Sequence, residues 1–329
     1  MAVYTSVTAA DLAAFLQRYD IGTATSFKGI AEGVQNTNYV LETTRARYIL
    51  TLYEDRVETA ALPWFLSLTT HLASKGLPVP RPITDKAGTA LQMLNGRPAC
   101  VIEFVSGVSV TEPTPAQSRA AGMALGRLHT AVADFPDQRP NNLGHGRWPA
   151  MLLRCGGQTG TIDAALPQLI AAGLAATADW PADLPLATIH ADLFPDNVLM
   201  LDGDVTGLID FYFACTDLRA FDFAVTHAAW CFSDDGRAYY PERAAGLAAG
   251  YAETHGLSDS EIAALPRLGQ GAALRFLLTR AYDWLNTPAG ALVTRKDPMA
   301  FARRLQWYGD ASPAMVLGGS DAPRASPAQ

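Results

Sequence analysis

The chain has few cysteines and no long apolar segment. Its 329 residues include four cysteines, which lie far apart and form no C-x-x-C pair: Cys100, Cys155, Cys215 and Cys231. This spacing excludes a disulfide framework and a cysteine-based zinc site, because both need clustered cysteines. No segment approaches the about 18 consecutive apolar residues of a membrane-spanning helix, and residues 1–20 lack the basic start and apolar centre of a secretory signal. The sequence therefore predicts a soluble, cytoplasmic protein.

Basic residues are also in the minority. The chain has 25 Lys and Arg residues against 32 Asp and Glu residues, so its net charge is −7. This acidic balance argues against a nucleic-acid partner and against a polybasic contact with a membrane. Lysine is especially scarce, and the four lysines of the chain are Lys28, Lys75, Lys86 and Lys296. A site that binds phosphate groups therefore has few lysines to draw on.

The composition still provides a large core, since 49% of the residues are hydrophobic and 17% are charged. At about 150 residues per domain, the length favours two domains. Strand-like runs dominate the first third, including a hairpin at Asn95-Gly96, whereas helical periodicity dominates later, with separate helices over 259–268 and 272–285. We therefore expect an α+β fold with two unequal lobes. The predicted parts are a sheet-rich lobe (1–105), a mostly helical lobe (106–311) and a flexible tail (312–329).

One short segment combines polar residues at the spacing that phosphoryl transfer uses. It reads His190-Ala-Asp192-Leu-Phe-Pro-Asp-Asn197, and a predicted hairpin then leads to Asp210. This spacing is typical of a kinase catalytic loop followed by a metal-binding turn. Asp192 is suited to accept the proton of a substrate hydroxyl, and Asn197 and Asp210 offer oxygen ligands for Mg²⁺ on ATP. The alternative, a buried histidine with ordinary turn residues, requires all four positions to match by coincidence.

Two stretches of the first lobe fit a bound nucleotide. The segment with Gly33, Asn36 and Asn38 lies between two predicted strands, as a phosphate-covering loop does, although it lacks the G-x-G-x-x-G pattern. Glu103 and Val105 end a strand at the predicted lobe junction, where backbone groups could hydrogen-bond an adenine. Each stretch is also compatible with an ordinary turn or strand end, so the prediction depends on the catalytic segment.

These segments together resemble the aminoglycoside-phosphotransferase-like family of the protein-kinase-like fold, and within it most closely the bacterial homoserine kinases. The resemblance implies a bilobal protein-kinase-like fold and the use of ATP and Mg²⁺ to phosphorylate the hydroxyl of L-homoserine, a step in threonine biosynthesis. It also implies Asp192 as the catalytic base and Asn197 and Asp210 as metal ligands. The stretches that carry it span about residues 27–285 and include Gly29-Ile-Ala-Glu-Gly-Val-Gln-Asn-Thr-Asn-Tyr39, Tyr48-Ile-Leu-Thr-Leu-Tyr-Glu54, His190-Ala-Asp-Leu-Phe-Pro-Asp-Asn197, Gly207-Leu-Ile-Asp-Phe-Tyr212 and Leu274-Arg-Phe-Leu-Leu-Thr-Arg280.

The sequence departs from the protein-kinase pattern at two positions. Thr51 stands where the third strand of a protein kinase carries a phosphate-binding lysine. We expect that cation to be Lys28, Arg47 or Arg56, with Arg56 preferred, unless Mg²⁺ supplies most of the charge. Tyr212 replaces the glycine after the metal-binding Asp-Phe pair. Because tyrosine adopts a positive φ only at a cost, we expect Tyr212 to line the substrate side without a regulatory flip of the turn.

The substrate side must recognise a small zwitterion if the resemblance holds. A carboxylate favours an arginine, and an ammonium group favours a carboxylate or carbonyl groups. Asp217, Arg275 and Arg280 are the candidates, although an ion pair between Arg280 and Asp283 on one helix would explain that arginine without a ligand. Asp222 is expected to cap a helix or to brace the catalytic loop.

Two alternatives remain open from the sequence. One is a kinase for another small hydroxylated amine, such as choline, ethanolamine or an aminoglycoside, which would need an acidic and aromatic pocket. The other is a catalytically silent nucleotide-binding scaffold, against which the complete Asp192, Asn197 and Asp210 set argues. In every case the expected partner is a small molecule, and the sequence gives no indication of the oligomeric state.

Overall fold

The structure, a computed structural model, describes residues 5–30, 36–54, 58–287 and 295–319. The chain divides into two compact units. The first comprises Met1–Gly107 together with Thr206–Tyr212, and the second comprises Val108–Val205 and Phe213–Gln329. The main division thus falls two residues beyond the 105/106 boundary that the sequence predicts. The pattern did not predict that a segment near residue 210 groups with the first unit.

The first unit is built on an antiparallel six-stranded sheet. Its central order is β1-β2-β3-β6-β4, and β5 pairs with β6 at the Asn95-Gly96 turn, where both residues have positive φ (49° and 77°) as a tight hairpin requires. Buried side chains such as Leu41, Leu50 and Leu52 form the core under the sheet. The elements are α1 (Ala9–Leu16), β1 (Ala24–Gly29), β2 (Asn36–Thr43), β3 (Arg47–Tyr53), α2 (Leu62–Ser74), β4 (Pro82–Ile83), β5 (Gln92–Leu94) and β6 (Arg97–Glu103).

The second unit is mainly helical and carries two short hairpin-like sheets. Strand β7 pairs with β10, and β8 pairs with β9, whose last three residues group with the first unit. The elements are α3 (Pro115–Ala131), α4 (Trp148–Arg154), α5 (Leu166–Ala176), β7 (Leu186–Ile189), β8 (Val198–Leu201), β9 (Asp204–Leu208), β10 (Cys215–Leu218), α6 (Arg219–Trp230), α7 (Pro241–Thr254), α8 (Asp259–Asn286), α9 (Met299–Asp310) and α10 (Pro313–Val316). Within the described residues, no helix is long and apolar enough to cross a membrane.

Helices α3 and α7 pack at very close range through glycines spaced four residues apart. Gly122 and Gly126 on α3 lie against α7, and Gly246 and Gly250 on α7 lie against α3. A Cβ atom added at Gly250 would lie 2.0 Å from the carbonyl oxygen of Arg119. Because that neighbour is backbone, it cannot move aside as a side chain could. The four glycines therefore set the distance between the two helices.

The structure differs from the sequence prediction in two segments of the second unit. The two helices predicted over 259–268 and 272–285 are one helix, α8, with Pro266 inside it. The glycines that break the pattern serve packing, since a Cβ at Gly271 would lie 2.4 Å from the ring of Trp180. In the segment predicted as a flexible tail, Ser312 caps the short helix α10 and Val316 is fully buried. Residues 320–329 of that segment lie outside the described residues.

Candidate active site

The catalytic loop begins with a residue in a strained backbone conformation. Ala191 has φ of 61°, which costs a residue with a Cβ about 1–2 kcal/mol. The carboxylate of Asp222, fully buried on α6, accepts hydrogen bonds from the backbone N–H of His190 (2.8 Å) and of Ala191 (2.7 Å). It also accepts one from Nε2 of His129 (3.0 Å). Asp222 therefore holds the loop in the conformation that presents Asp192, as the sequence predicted.

The charge of Asp222 is maintained by these same contacts. Burial raises the pKa of its carboxyl group. The hydrogen bond and charge of His129, together with the contribution of His190, lower the pKa by more than burial raises it. The net result is a pKa below the ordinary value, so Asp222 is ionised at neutral pH. On its other side, Nδ1 of His129 hydrogen-bonds the hydroxyl of Tyr251 at 2.8 Å. A buried chain of polar groups thus runs from α7 through α3 to the catalytic loop.

Asp192 is presented with its backbone fixed from several directions. Asn197 donates from Nδ2 to the backbone oxygen of Asp192 (2.8 Å) and to its Oδ2 (3.3 Å). Arg275 on α8 donates from Nη1 to the backbone oxygen of Ala191 (2.6 Å) and lies 3.6 Å from Oδ1 of Asp192. Trp230 donates from Nε1 to the backbone oxygen of Leu193 (2.9 Å). The Asp192 side chain keeps 16% of its surface exposed, so a hydroxyl group can reach it.

The pKa of Asp192 reflects two opposing influences. Burial raises the pKa of its carboxyl group, and the guanidinium of Arg275 lowers it, with a smaller lowering by His190. The net direction is upward from the ordinary aspartate value. A carboxylate with a raised pKa is a stronger proton acceptor, which is the property that a general base needs. The charge of Arg275 limits this rise.

Asp210 follows β9 and is itself the residue with a left-handed backbone. Its φ is 63°, and the next three residues, Phe211–Phe213, form a short 3₁₀ helix. Tyr212, which stands where the protein-kinase pattern has glycine, is not among the residues with positive φ. Asp210 is exposed. Strands β8 and β9 pair with each other. Asn197 comes directly before β8, and Asp210 comes two residues after β9.

Asn197 in the second unit and Asp210 in the first unit each carry an oxygen atom of the kind that Mg²⁺ prefers. Since Nδ2 of Asn197 is used in bonds to Asp192, its amide oxygen is the atom left for a cation. The exposed carboxylate of Asp210 is the second hard oxygen donor. Across the described ranges, no group of three or more His, Cys, Asp or Glu side chains could hold a metal by itself.

The residues predicted to contact the nucleotide belong to the first unit, and the structure describes four of the six. Asn36 is buried, and its Oδ1 has no hydrogen-bond partner among the described residues. Asn38 accepts at Oδ1 from the hydroxyl of Thr51 (2.8 Å). Glu103 binds Arg81 through its side chain, with Nη2 to Oε1 at 2.6 Å. Val105 follows β6 and is half-buried, while Gly33 and Arg56 lie outside the described residues.

The cation expected near the phosphates is not supplied by β3. Thr51 is buried and its hydroxyl is bound to Asn38, so the position normally held by lysine is filled by a neutral pair. Arg47 donates from Nε (3.1 Å) and Nη2 (2.8 Å) to Oε1 of Glu42 and covers the ring of Phe104. Lys28 lies exposed on β1. Of the two candidate cations that the structure describes, Lys28 and Arg47, Arg47 is therefore the less available.

Three of the four residues predicted to bind the substrate already use their polar atoms in contacts within the protein. Asp217 accepts from Asn141 (2.6 Å) and from the backbone N–H of Leu218 (2.7 Å), so its oxygens are already used. Arg275 is 3% exposed and braces the catalytic loop. Tyr212 belongs to the first unit, where its hydroxyl donates to Tyr53 (3.3 Å).

Arg280 is the open group among these candidates. It is half-buried, and its Nη1 donates to the backbone oxygen of Asp297 (3.2 Å) rather than to Asp283, the pairing that the sequence suggested. Burial lowers the pKa of Arg280 to about 10. Its guanidinium is therefore only partly satisfied and close to other charged groups.

The chain is similar in sequence to a family of phosphotransferases and to curated homoserine kinases. A model of the phosphotransferase enzyme family matches residues 26–257. The homoserine kinases of Xanthobacter autotrophicus and Gluconobacter oxydans are 50% and 51% identical to the chain over 309 and 322 residues. These matches cover 94% and 95% of this chain and 96% and 99% of the two relatives. The chain belongs to this phosphotransferase family.

Solved structures agree on the fold. An amicoumacin kinase, solved with AMP-PNP and Ca²⁺, superposes with a TM-score of 0.68 over 91% of this chain and 92% of its own, at 15% identity. A spectinomycin phosphotransferase superposes with a TM-score of 0.66 over 95% of this chain and 98% of its own, at 13% identity. The prediction of a bilobal protein-kinase-like α+β fold is therefore confirmed.

Several residues that support the site were not predicted in that role. His129 and Trp230 lie on helices far along the chain from the catalytic loop, and neither is the only buried polar residue of its helix, so its position alone does not mark it. Arg304 on α9 is 3% exposed and donates to the backbone oxygen of Ser233 (2.8 Å). The helical spacing places Arg304 on the same face as the apolar residues Phe301 and Leu305, and this position is the one sequence signal that could have identified it.

Proposed function

We propose that this enzyme transfers the terminal phosphoryl group of ATP to the hydroxyl of L-homoserine and forms O-phospho-L-homoserine, a precursor of threonine. About 50% identity to homoserine kinases over at least 94% of the chain carries the choice of substrate. The chemistry rests on the loop that presents Asp192, a partly exposed carboxylate that Asn197 and Arg275 contact. The partners are thus small molecules, and the cytoplasmic location stays a prediction from the sequence.

Asp192 acts as the general base of this reaction. The homoserine hydroxyl oxygen attacks the γ-phosphorus, the bond from that phosphorus to the β,γ-bridging oxygen breaks, and ADP leaves. The hydroxyl proton passes to Asp192 as the new bond forms. The bonds from Asn197 and Arg275 fix the carboxylate, so little reorganisation is needed when the hydroxyl arrives.

Asn197 and Asp210 are the residues that would hold Mg²⁺. When bound, the ion neutralises charge on the phosphate oxygens and on the leaving ADP. The amide oxygen of Asn197 and the carboxylate of Asp210 match the preference of Mg²⁺ for hard oxygen donors. With Thr51 in place of lysine on β3, we infer that the metal carries more of the phosphate charge here than in a protein kinase.

The ATP contacts proposed for the first unit stay those of the sequence: Gly33, Asn36, Asn38, Arg56, Glu103 and Val105. Two observations support part of this set. The buried oxygen of Asn36 has no partner among the described residues, which is costly unless a ligand or a neighbour satisfies it. The segment after Glu103 ends the sheet, where backbone groups are free of strand pairing at Val105.

The direct test is a panel of hydroxylated amines assayed for ATP turnover. We expect kcat/KM for L-homoserine to exceed that for ethanolamine, choline and an aminoglycoside by at least 100-fold. A higher kcat/KM for one of the other amines would overturn the substrate assignment and leave the kinase chemistry intact. ATP binding without phosphorylation of any compound would favour the silent scaffold.

A further inference from the structure

Two charged side chains in the second unit, those of Arg280 and Asp234, form no ion pair with a described residue. Arg280 on α8 uses Nη1 for the backbone oxygen of Asp297, and its other guanidinium nitrogens form no hydrogen bond to any described residue. Asp234, in the loop after α6, is exposed and forms no hydrogen bond or ion pair with a described residue. Arg303 connects the two segments, because its Nη1 donates to the backbone oxygen of Asp235 (2.7 Å) and lies 3.8 Å from Oδ2 of Asp297. The charge of Asp234 is among those that raise the pKa of Arg280.

The loop that carries Asp234 is held in place from α9. Arg304 donates from Nη2 to the backbone oxygen of Ser233 (2.8 Å), and Arg303 donates from Nη1 to the backbone oxygen of Asp235 (2.7 Å). These two contacts fix the residues on either side of Asp234. Because burying a guanidinium such as that of Arg304 is costly, its use on a backbone oxygen indicates that the position of this loop matters.

The same groups lie beside the catalytic loop. The guanidiniums of Arg280 and Arg304 lie over the ring of Phe301, with Cζ to centroid distances of 4.5 and 4.3 Å. Phe301 in turn packs against Phe276 (5.0 Å) and against Phe194 of the catalytic loop (6.2 Å). The charge of Asp192 also acts on Arg280. An apolar floor thus connects the base with the charged pair.

We propose that Arg280 binds the α-carboxylate of the substrate and that Asp234 binds its α-ammonium group, with Arg304 as a positioning residue for both. An arginine recognises a carboxylate and an aspartate recognises an ammonium group, and both side chains are available because neither is in an ion pair with a described residue. A phosphoryl group does not fit this pair, since Asp234 would repel it. This inference deepens the proposed function and rests on it.

The test compares L-homoserine with two analogues that each lack one charged group. 3-Amino-1-propanol lacks the carboxylate, and 4-hydroxybutanoate lacks the ammonium group. Arg280→Gln should raise KM at least tenfold for homoserine and 4-hydroxybutanoate and should leave KM for 3-amino-1-propanol within twofold. Asp234→Asn should raise KM for homoserine and 3-amino-1-propanol and should spare 4-hydroxybutanoate. Where an analogue is phosphorylated too slowly, its Ki as a competitive inhibitor replaces KM.

Controls separate recognition from folding and from the assignment of the substrate. Arg267→Gln removes an exposed arginine on the same helix, bound to Asp179, and should change none of these constants. Arg280→Lys, which keeps the charge, should recover part of the homoserine affinity, and thermal unfolding should show that each variant is folded. Equal losses for all three compounds, or no loss for any, would overturn the inference. If the wild-type enzyme does not prefer homoserine, it is the proposed function that fails.

Discussion

Replacing Asp222 by asparagine tests whether this buried carboxylate positions the catalytic loop. The carboxylate accepts from the N–H groups of His190 and Ala191 and from His129. Asparagine keeps one acceptor oxygen and turns an NH₂ group toward a backbone N–H. A lost bond to a charged acceptor costs about 1.5–3 kcal/mol, and the buried N–H left without a partner costs about 1–3 kcal/mol. We therefore expect the free energy of unfolding to fall by about 3–5 kcal/mol.

The same substitution should reduce catalysis in the folded enzyme. Without the bond to its N–H, the left-handed backbone of Ala191 is less stabilised, so the loop can shift. Each 1.4 kcal/mol that such a shift adds to the activation free energy lowers the rate about tenfold. We expect kcat to fall at least tenfold, with urea unfolding and steady-state kinetics as the assays. Thr226→Val is the matched control, because that hydroxyl donates to the backbone oxygen of Asp222 (2.9 Å) on the same helix. A kcat of Asp222→Asn within twofold of the wild type, or an equal loss in Thr226→Val, would refute the reasoning.

Two further predictions follow from individual contacts. Arg275→Met removes a charge that lowers the pKa of Asp192, so the acid limb of the kcat/KM profile should move to higher pH. Arg275→Lys keeps a positive charge and should return the profile most of the way to that of the wild type. An unmoved profile in the methionine variant would contradict the role of Arg275. Gly250→Ala forces a Cβ against the backbone of Arg119 and should cost about 3 kcal/mol in the free energy of unfolding. Gly309→Ala, whose Cβ meets nothing closer than 3.7 Å, should be neutral or stabilising in the same urea titration, and equal effects at the two glycines would contradict the close-packing argument.

The candidate residues of the site could be proposed from the sequence because phosphoryl transfer uses a fixed spacing within one segment. Asp192, Asn197 and Asp210 lie within 20 residues, and a short hairpin links them, so the pattern is visible in a single sequence. The residues that hold this segment are separated from it along the chain. Asp222 acts on His190 across 32 residues, and His129 reaches Asp222 from 93 residues away. Asp222 could be predicted as a cap or a brace, but the partner of His129 could not, because such contacts arise from tertiary packing and its helix also buries another polar residue, Ser118.

The extent of the helices was harder to predict than their existence. Pro266 and the glycines after it interrupt the local pattern of α8, and helix propensity alone favours a break there. The structure keeps one helix, since Trp180 packs against Gly271 and the ring of Tyr308 packs against Gly269. The hairpin at Asn95-Gly96 was predictable because its turn chemistry is local. Tertiary packing thus overrides local preference in α8, where Arg275 and Arg280 lie.

The most direct test of the central claim is the rate of L-homoserine phosphorylation by the wild-type enzyme and by Asp192→Asn, followed by ³¹P NMR of the product. The wild type should form O-phospho-L-homoserine, and the variant should lose about 10²–10⁴-fold in kcat, as expected for loss of a general base, with ATP affinity unchanged within twofold. A variant that keeps its rate would contradict the assignment of Asp192 as the base.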